Sequence, residues 1–479
     1  MADGITLGTV AQRARCAADA SLFDAIERAL DGGLGRCYVT DASEKLIGEI
    51  TLDDARALIR DGAYLSGLNA GAAAKPVAKT LTKGDTLTDF GALCAPVLDK
   101  NGALVDIAVD QTATFLPVAE PYLSHKEFRN VVDAFLSTWI SSQGQYIRDF
   151  EAQFAKRMQA GHGIATSNGT VSLHLAMVGL GIGPGDEVIV PDLTFAASIN
   201  TIIHAGATPV IVDVDPDTWV LDPATFEKAI TPRTRGVMPV HVFGRPCPMT
   251  EIMEVALRRG IYVIEDAAES HGATYDGRPV GSFGHTGSFS FFGNKNVTTG
   301  EGGMVLTSEP ELAERLRVLR DHGMKPEKRY WHDEVGYNYR MTNLQAAIGV
   351  AQLDRLDETL AHREHCAKLY REKMEGIPGL TFPKPMGKRY GPVTWFVCAQ
   401  VPADTRAALI AACKDHAIDL RPFFNGLSIM PAYRRYGRPC PASDHLSRTG
   451  VNLPTSPRID EKVASVMADV FLRVLGKNS

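Results

Sequence analysis

The run EVIVPDLTFAASINTIIHAGATPVIVDV at residues 187–214 joins a short apolar segment, a segment with helical spacing of apolar residues, and a second apolar segment. The same alternation continues through runs at 223–230, 236–242, 249–259 and 261–264. Strand-like runs that alternate with helical ones are typical of β-α-β units. The pattern therefore predicts an α/β fold with a mostly parallel central sheet and helices on both faces. Catalytic residues are expected at the carboxyl ends of the strands.

The length predicts more than one domain. The chain has 479 residues, of which 45% are hydrophobic and 22% charged, values typical of globular proteins. Beyond residue 338 the pattern changes to long amphipathic stretches, notably 342–374, followed by mixed α and β character. We therefore expect residues 114–479 to form a large domain of about 130–340 and a smaller C-terminal α/β domain of about 341–479.

Charge and composition exclude several classes of protein. The net charge is −6 without clusters of Lys and Arg, which argues against a nucleic-acid partner. No run approaches the roughly 20 apolar residues of a membrane helix, and the start MADGITLGTV lacks a signal-peptide pattern. The eight cysteines form no C-x-x-C pair, so no metal site is predicted and we expect reduced, mostly buried thiols. A cytoplasmic protein is the simplest interpretation.

The first 113 residues contain a weak repeat, in which 37–47 reappears 58 positions later as 95–105. Each copy predicts a strand, a polar turn and a second strand, which indicates a paired α+β unit that ends in a turn-rich junction at 110–121. The region resembles a pair of cystathionine-β-synthase (CBS) domains and carries the run Gly48-x-x-Thr51-x-x-Asp54. That resemblance implies a nucleotide ligand at Thr51 and Asp54. The second copy lacks these residues, so a docking or dimer-forming module without a ligand is an equal alternative.

The run SFSFFGNKNVTTGEGGM at 288–304 places Lys295 directly after an aromatic strand, among small and polar residues. Phe291 and Phe292 would desolvate a nearby ammonium group, lower its pKa and free the amine to attack a carbonyl. Lys295 is therefore the candidate catalytic residue. The alternative is a surface lysine in a turn.

A second candidate is Asp266, at the end of the apolar strand in VIEDAAE (263–269). A pyridine nitrogen remains protonated, and the ring remains an electron sink, only beside an anion such as this carboxylate. An Asp after a strand can equally cap a helix. Because Lys295 follows 29 positions downstream, the cofactor-binding interpretation is favoured.

Three further elements fit a phosphorylated aromatic cofactor. ATSNGT (165–170) leads into a helical run, so Gly169 and Thr170 could hold a phosphate at a helix N-terminus. Ser290 could also donate to the phosphate, and Phe195 could stack on the ring. The alternatives are an ordinary helix cap for 167–170 and core packing for Phe195.

Together these motifs resemble the DegT/DnrJ/EryC1/StrS family of sugar aminotransferases from residue 115 to the C-terminus. The matching segments also include GPGDEVIVP at 183–191, VDVD at 212–215 and GYNYRMTN at 336–343. The resemblance implies a fold-type-I transferase with pyridoxal 5′-phosphate on Lys295, which passes through pyridoxamine 5′-phosphate. It also implies Glu269 beside the phenolic oxygen of the cofactor. It further implies a homodimer with shared active sites, in which Asn338 reaches the cofactor phosphate of the other subunit.

The runs FFGNK at 291–295, AESHG at 268–272 and YWH at 330–332 resemble the branch that aminates GDP-4-keto-6-deoxymannose with L-glutamate. Another nucleotide- or acid-linked keto sugar, a pyridoxal-phosphate-dependent sugar dehydratase and a nucleotide-sensing regulator remain alternatives. Lys295 favours transamination, because the dehydratase branch has histidine at that position. The substrate preference is expected to depend on loops such as 421–432.

Overall fold

The structure is a computed structural model that describes residues 13–62, 67–82, 85, 94–109 and 115–476. The chain forms two compact units. The first extends to Leu116 and also includes Tyr122–Asn130, whereas the second comprises Pro117–Pro121 and the chain from Val131 onward. In the sequence analysis, the boundary between the domains is placed at residue 113. Tyr122–Asn130 differs from that assignment, because it belongs to the first unit. Residues 1–10 and 110–114, used in the sequence analysis, lie outside the described residues.

The first unit contains two three-stranded sheets with the same design. In each, the first strand pairs parallel with the second and the second pairs antiparallel with the third. The strands are β1 (Arg15–Ala17), β2 (Arg36–Thr40), β3 (Leu46–Thr51), β4 (Leu81–Thr82), β5 (Cys94–Leu98) and β6 (Leu104–Val109). The helices are α1 (Leu22–Asp31), α2 (Leu52–Arg60) and α3 (Ala70–Ala73). The 58-residue repeat thus corresponds to β2 with β3 and to β5 with β6.

The second unit is built on a seven-stranded sheet in the order β7-β15-β14-β11-β10-β8-β9. These strands are β7 (His162–Thr166), β8 (Glu187–Pro191), β9 (Thr208–Val212), β10 (Thr234–Val237), β11 (Tyr262–Asp266), β14 (Thr286–Ser290) and β15 (Gly303–Thr307). Only β15 runs antiparallel to its two neighbours. The prediction of an α/β fold with a mostly parallel sheet is confirmed.

Helices surround this sheet, and the core lies on both of its faces. In chain order they are α5 (Gln145–Arg157), α6 (Gly169–Gly179), α7 (Ala197–His204), α8 (Pro223–Ala229), α9 (Met249–Arg259) and α10 (Pro310–Arg320). The preceding helix α4 (His125–Leu136) begins in the residues of the first unit and ends in those of the second. All five residues of β8 are buried, which explains its continuous apolar sequence. α9 has the predicted bounds and ends at Gly260, whose φ of 64° suits a left-handed C-cap.

Among its described residues, the C-terminal part contains five α-helices, two short 3-10 helices and a sheet in the order β17-β19-β18. The helices are α11 (Asn343–Asp354), α12 (Leu356–Met374), α13 (Arg406–Asp415), α14 (Pro441–Thr449) and α15 (Glu461–Leu475). The strands are β17 (Val397–Gln400), β18 (Arg421–Pro422) and β19 (Gly450–Leu453), while β12 (Thr274–Tyr275), β13 (Arg278–Pro279) and β16 (Tyr390–Gly391) form a separate small sheet. The predicted amphipathic stretch 342–374 is two helices, because Arg355 leaves the helical region at φ −110°, ψ 10°.

Four chain segments bring polar residues to one edge of the large sheet. β8, β11 and β14 run in the same direction, so their carboxyl ends lie on the same side. β7 is antiparallel to β15, which is antiparallel to β14, so the end of β7 lies there too. Among the described residues, no helix has the length and apolar character needed to cross a bilayer.

Candidate active site

Lys295 lies in the turn after β14, where its backbone N–H donates to Phe292 O at 2.9 Å. Its side chain is only 10% exposed, so the alternative of a surface lysine is wrong. Nζ lies 3.8 Å from Glu269 Oε1 and 3.7 Å from the centre of the Trp395 ring. Burial lowers the pKa of the Lys295 ammonium, although the nearby carboxylates oppose this change. Burial therefore shifts the amine toward its neutral, nucleophilic form.

The aromatic environment of the amine differs from the sequence prediction. Phe291 is fully buried and packs against Phe150 and Phe154, with ring centres 4.9 and 5.1 Å away. Phe292 is 48% exposed. The ring in contact with the amine is instead that of Trp395, which lies 100 residues further along the chain and was missed because no local pattern links the two positions.

Asp266 ends β11, and its carboxylate is buried. Its Oδ2 accepts a hydrogen bond from Ser198 Oγ at 2.7 Å, and its Oδ1 accepts one from Ala268 N at 3.2 Å. Burial raises the pKa of Asp266, whereas these two donors and the charge of Lys295 lower it. No helix begins after β11, since the next element is β12, so the helix-cap alternative is wrong.

Glu269 accepts a hydrogen bond from a residue whose backbone conformation is uncommon. Its Oε2 accepts a hydrogen bond from Phe243 N at 2.7 Å. Phe243 has a φ of 54°, a conformation that costs about 1–3 kcal/mol when the residue is not glycine. The next residue, Gly244, has a φ of 85°, and a Cβ there would lie 2.0 Å from Val393 O. Burial raises the pKa of Glu269 to about 7, and Lys295 opposes that rise.

The N-terminus of α6 lies beside the end of β14. A Cβ atom on Gly169 would lie 2.6 Å from Cβ and 3.1 Å from Oγ of Ser290, so glycine is needed for this close approach. Asn168 caps the helix by accepting from Val171 N at 3.0 Å, as the helix-cap alternative expects. This cap leaves the first turn, with Gly169 and Thr170, able to direct backbone N–H groups at an anion.

Phe195 and Asn338 lie nearer the surface. Phe195 is 58% exposed and touches Phe424, with ring centres 5.8 Å apart, so the core-packing alternative is wrong. Asn338 is exposed, and within its own chain its Oδ1 accepts from Arg340 Nε at 3.1 Å. The adjacent Tyr339 O accepts from Ser167 N at 2.8 Å, which places this segment beside the end of β7.

Two other residues of the site escaped the sequence analysis. Ser198 lies three positions after Phe195 on the first turn of α7, where a hydroxyl could have been sought as a partner for the carboxylate. Arg363 of α12 is buried and donates to the backbone around Lys295. Like Trp395, it carries no local signal in the sequence.

The arrangement fits pyridoxal phosphate. A buried amine, a buried carboxylate with a hydroxyl donor, and a glycine-lined helix N-terminus beside a serine lie at one sheet edge, and they match an aldehyde, a ring nitrogen and a phosphate. Residues 121–471 match the DegT/DnrJ/EryC1/StrS aminotransferase family. The chain belongs to this family. It is a pyridoxal-phosphate-dependent sugar aminotransferase.

Members of the family resemble the chain over most of their length. It is 47% identical over 356 residues to the GDP-perosamine synthase of Caulobacter vibrioides, covering 72% of this chain and 94% of the relative. It is 42% identical over 349 residues to that of Escherichia coli O157:H7, covering 73% and 95%. The crystal structure of Streptomyces venezuelae DesV, at 34% identity, has a TM-score of 0.71 and covers 75% of this chain and 98% of DesV. A sugar aminotransferase of Streptococcus pneumoniae in its PLP form, at 27% identity, has a TM-score of 0.72 and covers 76% and 99%.

Proposed function

We propose that the protein transfers the amino group of L-glutamate to the C4 ketone of GDP-4-keto-6-deoxymannose and thereby forms GDP-perosamine. The observation that carries this proposal is the 47% identity to a GDP-perosamine synthase over 94% of that enzyme's length. Further GDP-perosamine synthases are 42% and 39% identical. We place the activity in the cytoplasm, where nucleotide sugars are made.

We assign the central role to Lys295. Bound pyridoxal phosphate supplies an aldehyde that condenses with amines and a protonated ring that accepts an electron pair. Lys295 Nζ would take the proton from the α carbon of glutamate in the first half-reaction, and it would deliver a proton to C4 of the sugar in the second. One base serves both halves, which requires an amine that is neutral when it accepts the proton. The burial of Lys295 and its contact with Trp395 support this role.

The other site residues hold the cofactor in our proposal. Asp266, with its bond from Ser198, keeps the ring nitrogen protonated. Glu269 would lie beside the phenolic oxygen of the cofactor. The phosphate is bound by Gly169 and Thr170 at the start of α6 and by the hydroxyl of Ser290, while Phe195 stacks on the ring.

We also propose a homodimer with shared active sites, in which Asn338 contributes to the phosphate site of the partner. The exposure of Asn338 supports this arrangement, as do the exposed apolar side chains of Tyr330, Trp331 and Val335 in the preceding segment. Mixing Lys295→Ala with Asn338→Asp protein after mild dissociation tests it. Activity should reappear in the mixture, because each hybrid dimer contains one intact site; a mixture as inactive as its components would contradict sharing.

For the first unit, we propose a docking module without a nucleotide ligand. Thr51 Oγ1 donates to Asp54 Oδ2 at 2.6 Å and accepts from Asp54 N at 3.0 Å, so the two residues cap α2. Asp54 Oδ1 also pairs with Lys75 Nζ at 2.5 Å. Calorimetric titration of the full chain with ATP, AMP and GDP should give no heat from this unit. Binding that disappears in Thr51→Val would favour the nucleotide alternative.

An amination screen tests the substrate proposal. GDP-, UDP-, dTDP- and CDP-linked 4-keto-6-deoxy sugars are incubated with L-glutamate and analysed by mass spectrometry. We expect amination of the GDP sugar with one 2-oxoglutarate formed per aminosugar. A preference for another nucleotide would overturn the substrate assignment, and turnover without 2-oxoglutarate would favour a dehydratase.

A further inference from the structure

Arg363 is a buried cation without a counter-ion. It lies on α12 and is 4% exposed, and among the described residues no carboxylate is within ion-pair distance of it. Burying a guanidinium is unfavourable unless its N–H groups find acceptors. Burial lowers the pKa of Arg363 to about 10, which leaves it charged at neutral pH. Such a residue needs a specific explanation.

The acceptors of Arg363 are three backbone carbonyls of the active site. Nη1 donates to Trp395 O at 2.8 Å, and Nη2 donates to Asn294 O at 3.2 Å and to Lys295 O at 3.3 Å. The planar guanidinium therefore joins the turn that carries Lys295 to the segment that carries Trp395. A lysine ammonium, as a single point donor, could not span both segments in this way.

A further bond links the same two segments. Trp395 Nε1 donates to Asn294 O at 3.0 Å, the same carbonyl that Arg363 contacts. The indole then lies 3.7 Å from Lys295 Nζ. The guanidinium of Arg363 and the indole N–H thus both help to hold the amine and its aromatic neighbour at this distance.

We propose that Arg363 is a positioning residue for transamination, which locks the Lys295 turn to the indole of Trp395 and holds the amine where proton transfer occurs. This inference rests on the proposed role of Lys295. A displacement of about 1 Å at a reacting group can cost about a hundredfold in rate, so a residue that never touches the substrate can strongly affect turnover.

The charge of Arg363 also acts on the amine. Burial is the largest cause that lowers the pKa of Lys295, and Arg363 adds to it, whereas Glu269 and Asp266 oppose it. His271 is the other titratable group that interacts with Lys295. Removing the cation should therefore raise the pKa of the amine. A role confined to folding would leave this pKa unchanged, which gives a means of separating the two explanations.

The test compares Arg363→Met and Arg363→Lys with a matched control on the same helix, Arg371→Met. Arg371 also donates to a backbone carbonyl, Pro383 O at 3.1 Å, but it does not contact the Lys295 turn. The measurements on each holoenzyme are kcat and KM for glutamate, the midpoint of the pH titration of the visible cofactor absorbance, and the melting temperature.

For Arg363→Met we expect kcat to fall at least about tenfold with KM changed by less than about threefold, since an interaction needed only for reaction is removed. The absorbance midpoint should rise. Arg363→Lys keeps the charge, so the midpoint should return close to that of the wild type, while kcat recovers only in part. Arg371→Met should leave the midpoint and kcat unchanged.

The inference is overturned if Arg363→Met keeps the wild-type midpoint and loses activity only in proportion to the unfolded fraction. It is also overturned if the control Arg371→Met lowers kcat and raises the midpoint as much as Arg363→Met does. Borohydride reduction of the wild-type holoenzyme, followed by peptide mass spectrometry, separates this outcome from failure of the proposed function. A label on Lys295 upholds the proposed function whatever Arg363 does. A label on another residue would overturn both the proposed function and the role of Arg363.

Discussion

The hydroxyl of Ser198 donates a hydrogen bond to Asp266 Oδ2 across 2.7 Å and so ties the first turn of α7 to the end of β11. Hydrogen bonds to a carboxylate favour its ionised form and oppose the burial that raises the pKa of Asp266. A charged carboxylate is the partner that a protonated ring nitrogen requires. We therefore expect this bond to help set the electronic properties of the bound cofactor.

Asp266→Asn preserves the shape of the side chain but removes its charge. We expect kcat to fall by about 10²–10³, the range typical of losing a preorganised electrostatic partner. Ser198→Ala should have a smaller effect, about ten- to a hundredfold, because a hydrogen bond to a charged group contributes about 1.5–3 kcal/mol. Formation of 2-oxoglutarate measures both.

Thr201→Val is the control for these variants, since Thr201 lies on the same helix and its hydroxyl donates to Ser198 O at 3.0 Å rather than to the carboxylate. It should retain normal turnover. An Asp266→Asn enzyme with wild-type kcat would exclude the carboxylate from the mechanism.

Lys295→Ala should abolish both turnover and the visible absorbance of the bound cofactor, because it removes the amine to which we assign the covalent link and the proton transfer. Lys384→Ala is the control, since Lys384 is an exposed lysine paired with Asp217. Steady-state assays and absorbance spectra test the prediction. A Lys295→Ala enzyme that turned over at nearly the normal rate would remove Lys295 from the reaction.

The architecture of the large sheet could be predicted because each element carries its own periodicity. α9 has the predicted bounds, and the burial of all of β8 follows from its uninterrupted apolar run. The break at Arg355 was missed, since the amphipathic pattern of the sequence continues through this residue. The position of β15, antiparallel between β7 and β14, also leaves no trace in local spacing.

The residues of the candidate site also divide into those that the local sequence indicates and those that it does not. Lys295 and Asp266 could be proposed from the sequence because Asp266 ends a strand and Lys295 follows one, and the carboxyl ends of parallel strands meet at one edge. Trp395 and Arg363 reach the amine from distant parts of the chain, so the local sequence could not indicate them. Phe292 was chosen because it lies near Lys295 in the sequence, but its side chain is partly exposed.

In the first unit, Thr51→Val should lower stability by about 1 kcal/mol, the usual effect of losing an N-cap side chain, without changing kcat. Asp53→Asn is the control, because Asp53 forms only an exposed pair with Arg56 that contributes little. Circular-dichroism melting of the full chain measures the stability. A large loss of aminotransferase activity in Thr51→Val, with the unit still folded, would contradict a purely structural role for this cap.

The burial of His271 predicts how the stability of the protein depends on pH. His271 is fully buried, with ring centres 5.4 Å from Phe289 and 5.8 Å from Phe291, and burial lowers its pKa from the ordinary 6.5 to about 3. Above pH 6.5 the side chain is neutral in both the folded and unfolded states. Below pH 6.5 the unfolded chain binds a proton that the folded chain does not, so stability falls as the pH decreases toward 3.

Between pH 6.5 and 5 this effect should remove about 1.6 kcal/mol from the free energy of unfolding, and His271→Phe should lack that part of the decrease. All four tryptophans lie in the second unit, so their fluorescence during urea unfolding follows the unit that contains His271. His416→Gln, at an exposed position, is the control and should show the wild-type dependence. If the wild type and His271→Phe lost stability in parallel over this range, the acid sensitivity would have to come from other groups.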